Sequence, residues 1–309
     1  KETVTALGEQ LVQGSDHYYN LSSEWERNNP SPLYAAHCYL SFETLRLLRC
    51  PPTVWELPGG SLIEFPPITA TDLRTCYFAN LAMGMKGSDY YIFTGGPNPP
   101  GLGANGDVYD YQAAISTDGA IRPSYYAQQE YGRFVAAHPW LAEAQGEYDC
   151  RIAFDWEQAR AADYWPQRGL HLFSTADAFA FLRRDLLPTA FCAGVAPRLV
   201  DLSQDDWLSD TRTPLIVPSA VCMAEAAQER LVRYLESGGR ALFLPVLPTR
   251  NEEWLPCRLL ADRLGAPDLE ACTIPFPQLT VAGVRGIHET GELFHPQGDL
   301  GGVEILGCE

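Results

Sequence analysis

A chain of 309 residues, 46% of them apolar, is long enough for two domains with sizeable cores. Its formal charge of −17 and pI near 4.7 disfavour phosphate backbones and anionic lipid, so nucleic acid and membrane surfaces are excluded as partners and a neutral or cationic ligand fits better. No stretch approaches the roughly 20 uninterrupted apolar residues that span a bilayer, and Lys1-Glu2-Thr3-Val4-Thr5 lacks the form of a signal peptide.

Residues 1–146 alternate short apolar runs with helical patterns, as β/α units do. Residues 15–20 read as a strand end, and 32–48 as a helix with apolar residues recurring at three and four positions. A strand over 53–56 ends in one carboxylate, Glu56, and continues into Leu57-Pro58-Gly59-Gly60. A helix is expected over 71–85, capped by Thr71 and packing through Leu73, Cys76, Tyr77, Leu81 and Met85. The next strand, 90–93, stops in Gly95-Gly96-Pro97-Asn98, where paired glycines allow a sharp turn. A long loop then carries Tyr109-Asp110-Tyr111, and 124–137 forms another helix.

From residue 147 to 268 a different β/α pattern follows. Strands are expected at 151–156, 199–202, 214–218 and 240–245, the third apolar enough to be buried on both faces. Helices lie over 174–187, opened by Ser174 with Asp177 three residues on, and over 224–236, ended by Gly238-Gly239. Parallel strands with crossover helices make a doubly wound sheet. Residues 269–309 alternate in the manner of a β-rich segment. The expected class is therefore α/β throughout, with a short β addition.

Several residues carry candidate chemistry. A carboxylate at the C-terminal end of a parallel strand, as Glu56 is, reads as catalytic more readily than one on a helix face; the bland alternative is a solvated or ion-paired Glu at a loop start. Tyr91, Tyr109 and Tyr111 supply aromatic faces that stack on a pyranose, or else pack as ordinary loop aromatics. Nine cysteines, odd in number and without C-x-x-C spacing, argue against a disulfide framework and a zinc site, and lean towards a reducing, cytoplasmic compartment. Cys222 lies between a strand and a helix, but its neighbours Ala220-Val221 and Met223-Ala224 include no glycine for a strained nucleophile elbow. His171, His288 and His295 have no metal-ligand spacing.

The run Tyr91-Ile92-Phe93-Thr94-Gly95-Gly96-Pro97-Asn98, then Tyr109-Asp110-Tyr111-Gln112-Ala113-Ala114-Ile115-Ser116, Asp118-Gly119 and Pro123-Ser124-Tyr125-Tyr126-Ala127, resembles the eighth-strand region of family 35 β-galactosidases over about 40 residues. The segment after residue 147 resembles, at lower specificity, the glutamine-amidotransferase-like domain that follows the barrel in family 42 β-galactosidases. The resemblance implies the C-terminal part of a (β/α)8 barrel, with Glu56 on its seventh strand as the nucleophile of a retaining glycoside hydrolase and Tyr91, Tyr109 and Tyr111 around the sugar. It implies no cofactor and no metal. Glu56 is followed by Leu57-Pro58 where the family commonly has an aromatic residue, so the glycone is open among β-galactosides and related β-glycosides. In these families the acid/base is a Glu directly after an Asn; the one Asn-Glu here, Asn251-Glu252, falls in a loop of the second domain, and Glu24 and Glu26 flank Trp25 in a polar loop. A full barrel takes about 250 residues, and residues 1–146 leave room for strands six to eight only. The expectation is a chain completed by a companion N-terminal barrel segment that supplies the acid/base, inactive alone and prone to oligomerise. A non-catalytic carbohydrate-binding or assembly subunit is the alternative, and an amidotransferase-like enzyme using Cys222 a third reading.

Overall fold

The computed structural model describes residues 13–17, 32–60, 68–103, 106–164 and 174–266, with Val4, Ala6 and the backbone of four strands beyond residue 267. Two units emerge from the packing: Lys1–Asp149 with Arg183–Leu199, and Cys150–Leu182 with Val200–Glu309. No helix among the described residues is long and apolar enough to cross a membrane.

The first unit is built on three parallel strands in the order β1 (Ser15–Asp16), β2 (Thr53–Pro58), β3 (Gly87–Tyr91). Helix α1 (Pro32–Leu47) links the first pair and α2 (Ala70–Ala82) the second, so each crossover is a βαβ unit. Helix α3 (Pro123–Ala137) follows a two-stranded ribbon of β4 (Gly96–Pro97) and β5 (Val108–Tyr109). Val54 and Leu57 of β2 meet Phe42 of α1, Leu73, Cys76 and Tyr77 of α2, and Tyr131 of α3 in one core. The expected α2 cap moves from Thr71 to Thr69. Thr69 accepts a hydrogen bond from the Asp72 amide (3.2 Å) while the Asp72 carboxylate accepts from the Thr69 amide (2.9 Å). Thr71 has Arg74 three residues on, which cannot accept, so the capping box selects the earlier threonine. Met85 lies beyond the helix end yet is buried in the same core, as expected. Strand β3 begins three residues earlier than expected, because Ser88 pairs with Val54 although its polar side chain gave no strand signal.

The second unit carries a parallel sheet ordered β7-β6-β8-β9, with β6 (Cys150–Phe154), β7 (Pro197–Asp201), β8 (Leu215–Ser219) and β9 (Ala241–Pro245). Helix α4 (Trp156–Tyr164), which the sequence pattern did not reveal, follows β6 at once, because the strand ends at Phe154 rather than at Trp156. Ser174 and Asp177 form the expected reciprocal cap of α5 (Thr175–Phe181); the chain continues through one π-helical turn into α6 (Leu187–Cys192), whose residues group with the first unit. Helix α7 (Glu225–Glu236) buries Ala227, Gln228, Leu231 and Tyr234 and is closed by Gly238 in the left-handed region (φ 87°). Arg151, 2% exposed, donates to the Trp207 and Thr213 carbonyls and the Tyr234 hydroxyl, tying the sheet to the loop before β8. Helix α8 (Leu259–Leu264) follows, and four antiparallel strands close the described chain: β10 (Asp268–Cys272) pairs with β13 (Leu293–Gln297), and β11 (Gln278–Val281) with β12 (Val284–His288).

His17, directly after β1, is 3% exposed, with Nδ1 2.6 Å from Asn80 Oδ1 and Nε2 2.5 Å from Ser41 Oγ. Asn80 Nδ2 donates to the Cys76 carbonyl at 2.9 Å, so its oxygen faces the ring, Nδ1 carries the proton and Nε2 accepts. Burial lowers this imidazole to about 4, against the opposing pull of the Asn80 hydrogen bond. Below about pH 6.5 the unfolded histidine binds a proton that the folded one refuses, so the stability it contributes is complete above that pH and drains away as pH falls towards 4. Urea denaturation across that window will show stability rising with pH, with His17 contributing on the order of 3 kcal/mol, and His17→Gln will flatten that part of the slope; equal slopes in the two proteins would assign it elsewhere.

Candidate active site

Strand β2 carries one more residue than each neighbour where Glu56 stands. Against β3, Val54 pairs with Ser88 but Leu57 with Tyr90; against β1, Ser15 pairs with Val54 but Asp16 with Glu56. In a regular strand residues 54 and 57 would face opposite sides. The irregularity lets both Val54 and Leu57 enter the core at 0% exposure, while Trp55 is turned out to solvent and Glu56 stays half-buried. A bulge that re-aims a side chain at a strand end is the device this position uses.

The end of β2 is fixed by buried polar contacts. Tyr77 of α2 donates to the Pro58 carbonyl (2.6 Å), Gln128 of α3 donates to the Gly59 carbonyl (3.0 Å), and the Gly59 amide donates to the Tyr91 carbonyl (3.0 Å). Gly59 and Gly60 then pass against the tyrosine loop so closely that a Cβ on Gly59 would lie 2.3 Å from the Ile92 carbonyl oxygen, and one on Gly60 2.3 Å from that of Tyr111. No side chain fits there.

Within the loop, Tyr111 and Gln112 adopt positive φ (45° and 55°). Asp110, between Tyr109 and Tyr111, holds the turn. Its carboxylate takes both Arg122 nitrogens (2.5 and 2.9 Å) and the Gln112 amide (3.0 Å), and Arg122 also donates to the Ala113 carbonyl. The Arg122 hydrogen bond keeps Asp110 below the usual carboxylate range. Tyr109 and Tyr111 therefore meet edge to face at 4.7 Å, with Tyr91 6.0 Å and 6.3 Å from them. Burial first, then a hydrogen bond with Tyr91 and the charges of Tyr91, Tyr111 and Glu56, push the Tyr109 phenol up. The structure thus gathers the expected Tyr91, Tyr109 and Tyr111 into one cluster of rings, with the Glu56 charge within electrostatic reach of Tyr109.

Two features of the site escaped the sequence pattern. Asp16, an exposed residue, stands opposite Glu56, its carboxyl raised by partial desolvation and then by the Glu56 charge. The Asp110–Arg122 clamp joins residues twelve positions apart through a turn whose geometry depends on two positive φ angles.

Outside this unit the other candidates have structural roles. The Cys222 thiol donates to the Asn251 carbonyl (2.9 Å), and burial, then Asp155 and Glu252, push it up, the wrong direction for a nucleophile. Glu252 accepts from the Glu225 amide (2.8 Å) and so caps α7, whose own N-cap, Ala224, has no side-chain acceptor. Among the described residues no group of three His, Cys, Asp or Glu is placed to hold a metal ion. Five of the seven described cysteines are buried, Cys222 partly so, and Cys192 is exposed. Glu24, Glu26 and His171, and the side chains of His288 and His295, lie outside the described residues.

Comparison with known proteins gives this architecture its class. A family model described as "GLMA-like, second domain" matches residues 179–291. The sequence is 29% identical over 189 residues to an exo-beta-D-glucosaminidase of Pyrococcus horikoshii, covering 60% of this chain and 24% of that protein. It is 25% identical over 227 residues to a beta-1,2-glucosyltransferase of Ignavibacterium album, covering 69% of this chain and 32% of that one. Among solved structures, a beta-galactosidase from Halorubrum lacusprofundi superposes with a TM-score of 0.67 at 16% identity, over 94% of this chain and 43% of that one. The chain thus spans about a quarter of the length of the first relative. The fold is α/β, the C-terminal part of a (β/α)8 barrel followed by a doubly wound domain. The chain is related to glycoside hydrolases.

The close approach at Gly60 gives a direct check. Gly60→Ala will lower stability by about 1–3 kcal/mol, the range for overpacking, and will change the near-UV circular dichroism of the tyrosine cluster. Gly96→Ala, where an added Cβ meets nothing within 4 Å, will stay close to wild type. Equal effects of the two substitutions would refute the backbone contact.

Proposed function

We propose that this chain is the nucleophile-bearing part of a retaining glycoside hydrolase that acts on β-galactosides or related β-glycosides. The observation that carries the reading is Glu56, turned out of the core by a strand bulge and within electrostatic reach of Tyr109, which clusters with Tyr91 and Tyr111. Glu56 attacks the anomeric carbon and forms the glycosyl-enzyme, and the tyrosine rings present apolar faces to the sugar. A second carboxyl group, roughly 5–5.5 Å away across the scissile bond, protonates the leaving oxygen and later activates water. We assign that acid/base to a companion barrel segment: the described residues of the first unit form three of a barrel's eight parallel strands, and Glu252 is engaged as a helix cap. Hydrolysis of this kind calls for no organic cofactor and no metal.

The charge of −17 favours a neutral or cationic sugar over nucleic acid or anionic lipid as partner. Trp55, 47% exposed beside Glu56, supports the reading that companion strands cover this side of the sheet. Leu242 on edge strand β9 and Leu255, each 54% exposed, favour association into an oligomer. A second reading, a carbohydrate-binding or assembly subunit without turnover, draws on the same three-strand sheet.

Chromogenic β-glycosides incubated with the chain, alone and with the companion segment, separate the two readings. Hydrolysis that needs both parts and falls by at least about 10³-fold in Glu56→Gln, with sugar binding kept, is the expected result. Binding without turnover in either sample selects the subunit reading, and full activity of Glu56→Gln removes the nucleophile assignment.

A further inference from the structure

A second group of rings lies at the far end of the first unit from Glu56 and has no part in the chemistry proposed there. Helix α3 leaves the tyrosine loop, where Gln128 holds Gly59, and runs back to the start of β3, where Pro139–Ala142 makes one 3-10 turn. Trp140 on that turn is 61% exposed, and Phe134 in the last turn of α3 is 38% exposed. His138 lies between them, its ring 4.4 Å from that of Phe134 and 6.2 Å from that of Trp140, and Phe134 meets Phe78 of α2 edge to face at 5.2 Å. Single exposed apolar residues need no account, but these rings touch one another and share one shelf.

The shelf is held in place although it faces solvent. Lys86, the residue before β3, donates from Nζ to the Leu141 and Ala144 carbonyls (2.7 and 2.6 Å), and its amide donates to the Pro52 carbonyl (2.7 Å), so the turn is pinned to the start of the sheet. His138 Nδ1 lies 2.8 Å from the Phe134 carbonyl oxygen. A carbonyl only accepts, so Nδ1 carries the proton of the neutral ring and Nε2 is left as an acceptor. The Trp140 indole N–H makes no hydrogen bond among the described residues. One donor and one acceptor thus border an apolar shelf, which suits hydroxyl groups, since each can give one hydrogen bond and take another.

Size and charge select the occupant. Trp140 and Phe134 together expose about 200 Å², taking about 150–250 Å² for a whole aromatic side chain, against about 800 Å² per partner in a stable protein interface. A pyranose with equatorial substituents fits that size: it presents a flat face of C–H bonds to the rings and carries hydroxyls at its rim. The net charge of −17 disfavours an anionic glycan and a second copy of the chain alike.

We propose that Phe134, His138 and Trp140 form a carbohydrate-binding platform that takes one pyranose of a neutral, β-linked oligosaccharide. The platform binds without cleaving: the carboxylate of Glu130, on the same helix, is held by Arg74 (2.9 and 3.0 Å). It goes beyond the reading of Glu56 and does not depend on it.

Cellotetraose, whose β-linked units carry only equatorial substituents, tests the platform on the 309-residue chain with isotope-labelled tryptophan and histidine. The Trp140 indole signal, identified by its loss in Trp140→Phe, will shift to saturation with a Kd of about 1 mM. The signal of Trp254, 37% exposed in the second unit, will not move. His138→Ala will weaken the binding by about 2- to 10-fold, the loss of one hydrogen bond. In Trp140→Ala the His138 ring signals, which follow the same titration in the wild-type chain, will no longer shift. Both residues face solvent, and His138→Ala keeps the test open if Trp140→Ala does not fold. Glu56→Gln will titrate at Trp140 as the wild-type chain does; loss of the response there assigns it to the Glu56 site and overturns the platform. A Trp140 signal unmoved by cellotetraose, or equal shifts at Trp140 and Trp254, also overturns it. So does a signal that follows protein concentration instead of sugar, which assigns the rings to contact between copies. Failure of the platform leaves the nucleophile assignment untouched.

Discussion

The site depends on how two stretches of backbone meet at the end of β2. Gly59 and Gly60 bring that strand end within contact of the Ile92 and Tyr111 carbonyls, a distance no residue with a Cβ could reach. Everything else in the constellation follows from that contact. The Asp110–Arg122 pair holds the far side of the loop, Tyr77 and Gln128 hold the near side from two helices, and the three rings are confined between them. Glu56 needs one further device. The extra residue in β2 reconciles a strand whose residues 54 and 57 both belong to the core with a carboxylate that must face outward. The constellation is thus held through its backbone contacts.

Much of this was legible from residue order. The glycine pair after Glu56, Gly95 after Phe93 and the Tyr-Asp-Tyr run each carry a stereochemical demand that points to a strand end or tight loop, and the structure puts all three at one end of the parallel sheet. Helices with a strong amphipathic face or a capping pair, such as α7 and α5, stand out for the same reason. What could not be read was register. Asp16 lies in a segment recognisable as a strand end, yet nothing local shows that it stands opposite Glu56, because that pairing arises from a bulge forty residues away. Thr69 outcompetes Thr71 as a cap through the identity of a residue three positions on, a distinction that a scan for capping residues alone passes over. Helix α4 was missed because Trp156 extends the apolar run of β6 by sequence but begins the helix in space, its indole donating to Asp201 (2.9 Å).

The second unit has the strand order of a doubly wound domain, and its Cys222 is engaged in the fold. Its strand order places the switch point between β6 and β8, where doubly wound domains commonly bind ligands. Cys222 follows β8 at that end, but its neighbourhood favours the protonated thiol: Asp155 and Glu252 repel a thiolate, and the hydrogen atom is already given to the Asn251 carbonyl. Buried groups nearby are spent on the fold. Ser219, at 0% exposure, turns its hydroxyl to the Val246 carbonyl, and Gln228 donates to the Met223 carbonyl (3.0 Å).

Three parallel strands impose a last constraint on the chemistry. In a closed barrel every strand has two neighbours, whereas here β1 and β3 are both edges among the described residues, and β1 is two residues long. Residues that share one face of adjacent strands can line a pocket and read one side of a sugar, but they cannot surround it. In the proposed mechanism, a proton donor that approaches the glycosidic oxygen from the opposite side comes from outside the faces of β1, β2 and β3. On the proposed mechanism, the nucleophile and its recognition groups share one face of this unit, and the general acid stands across the barrel from them.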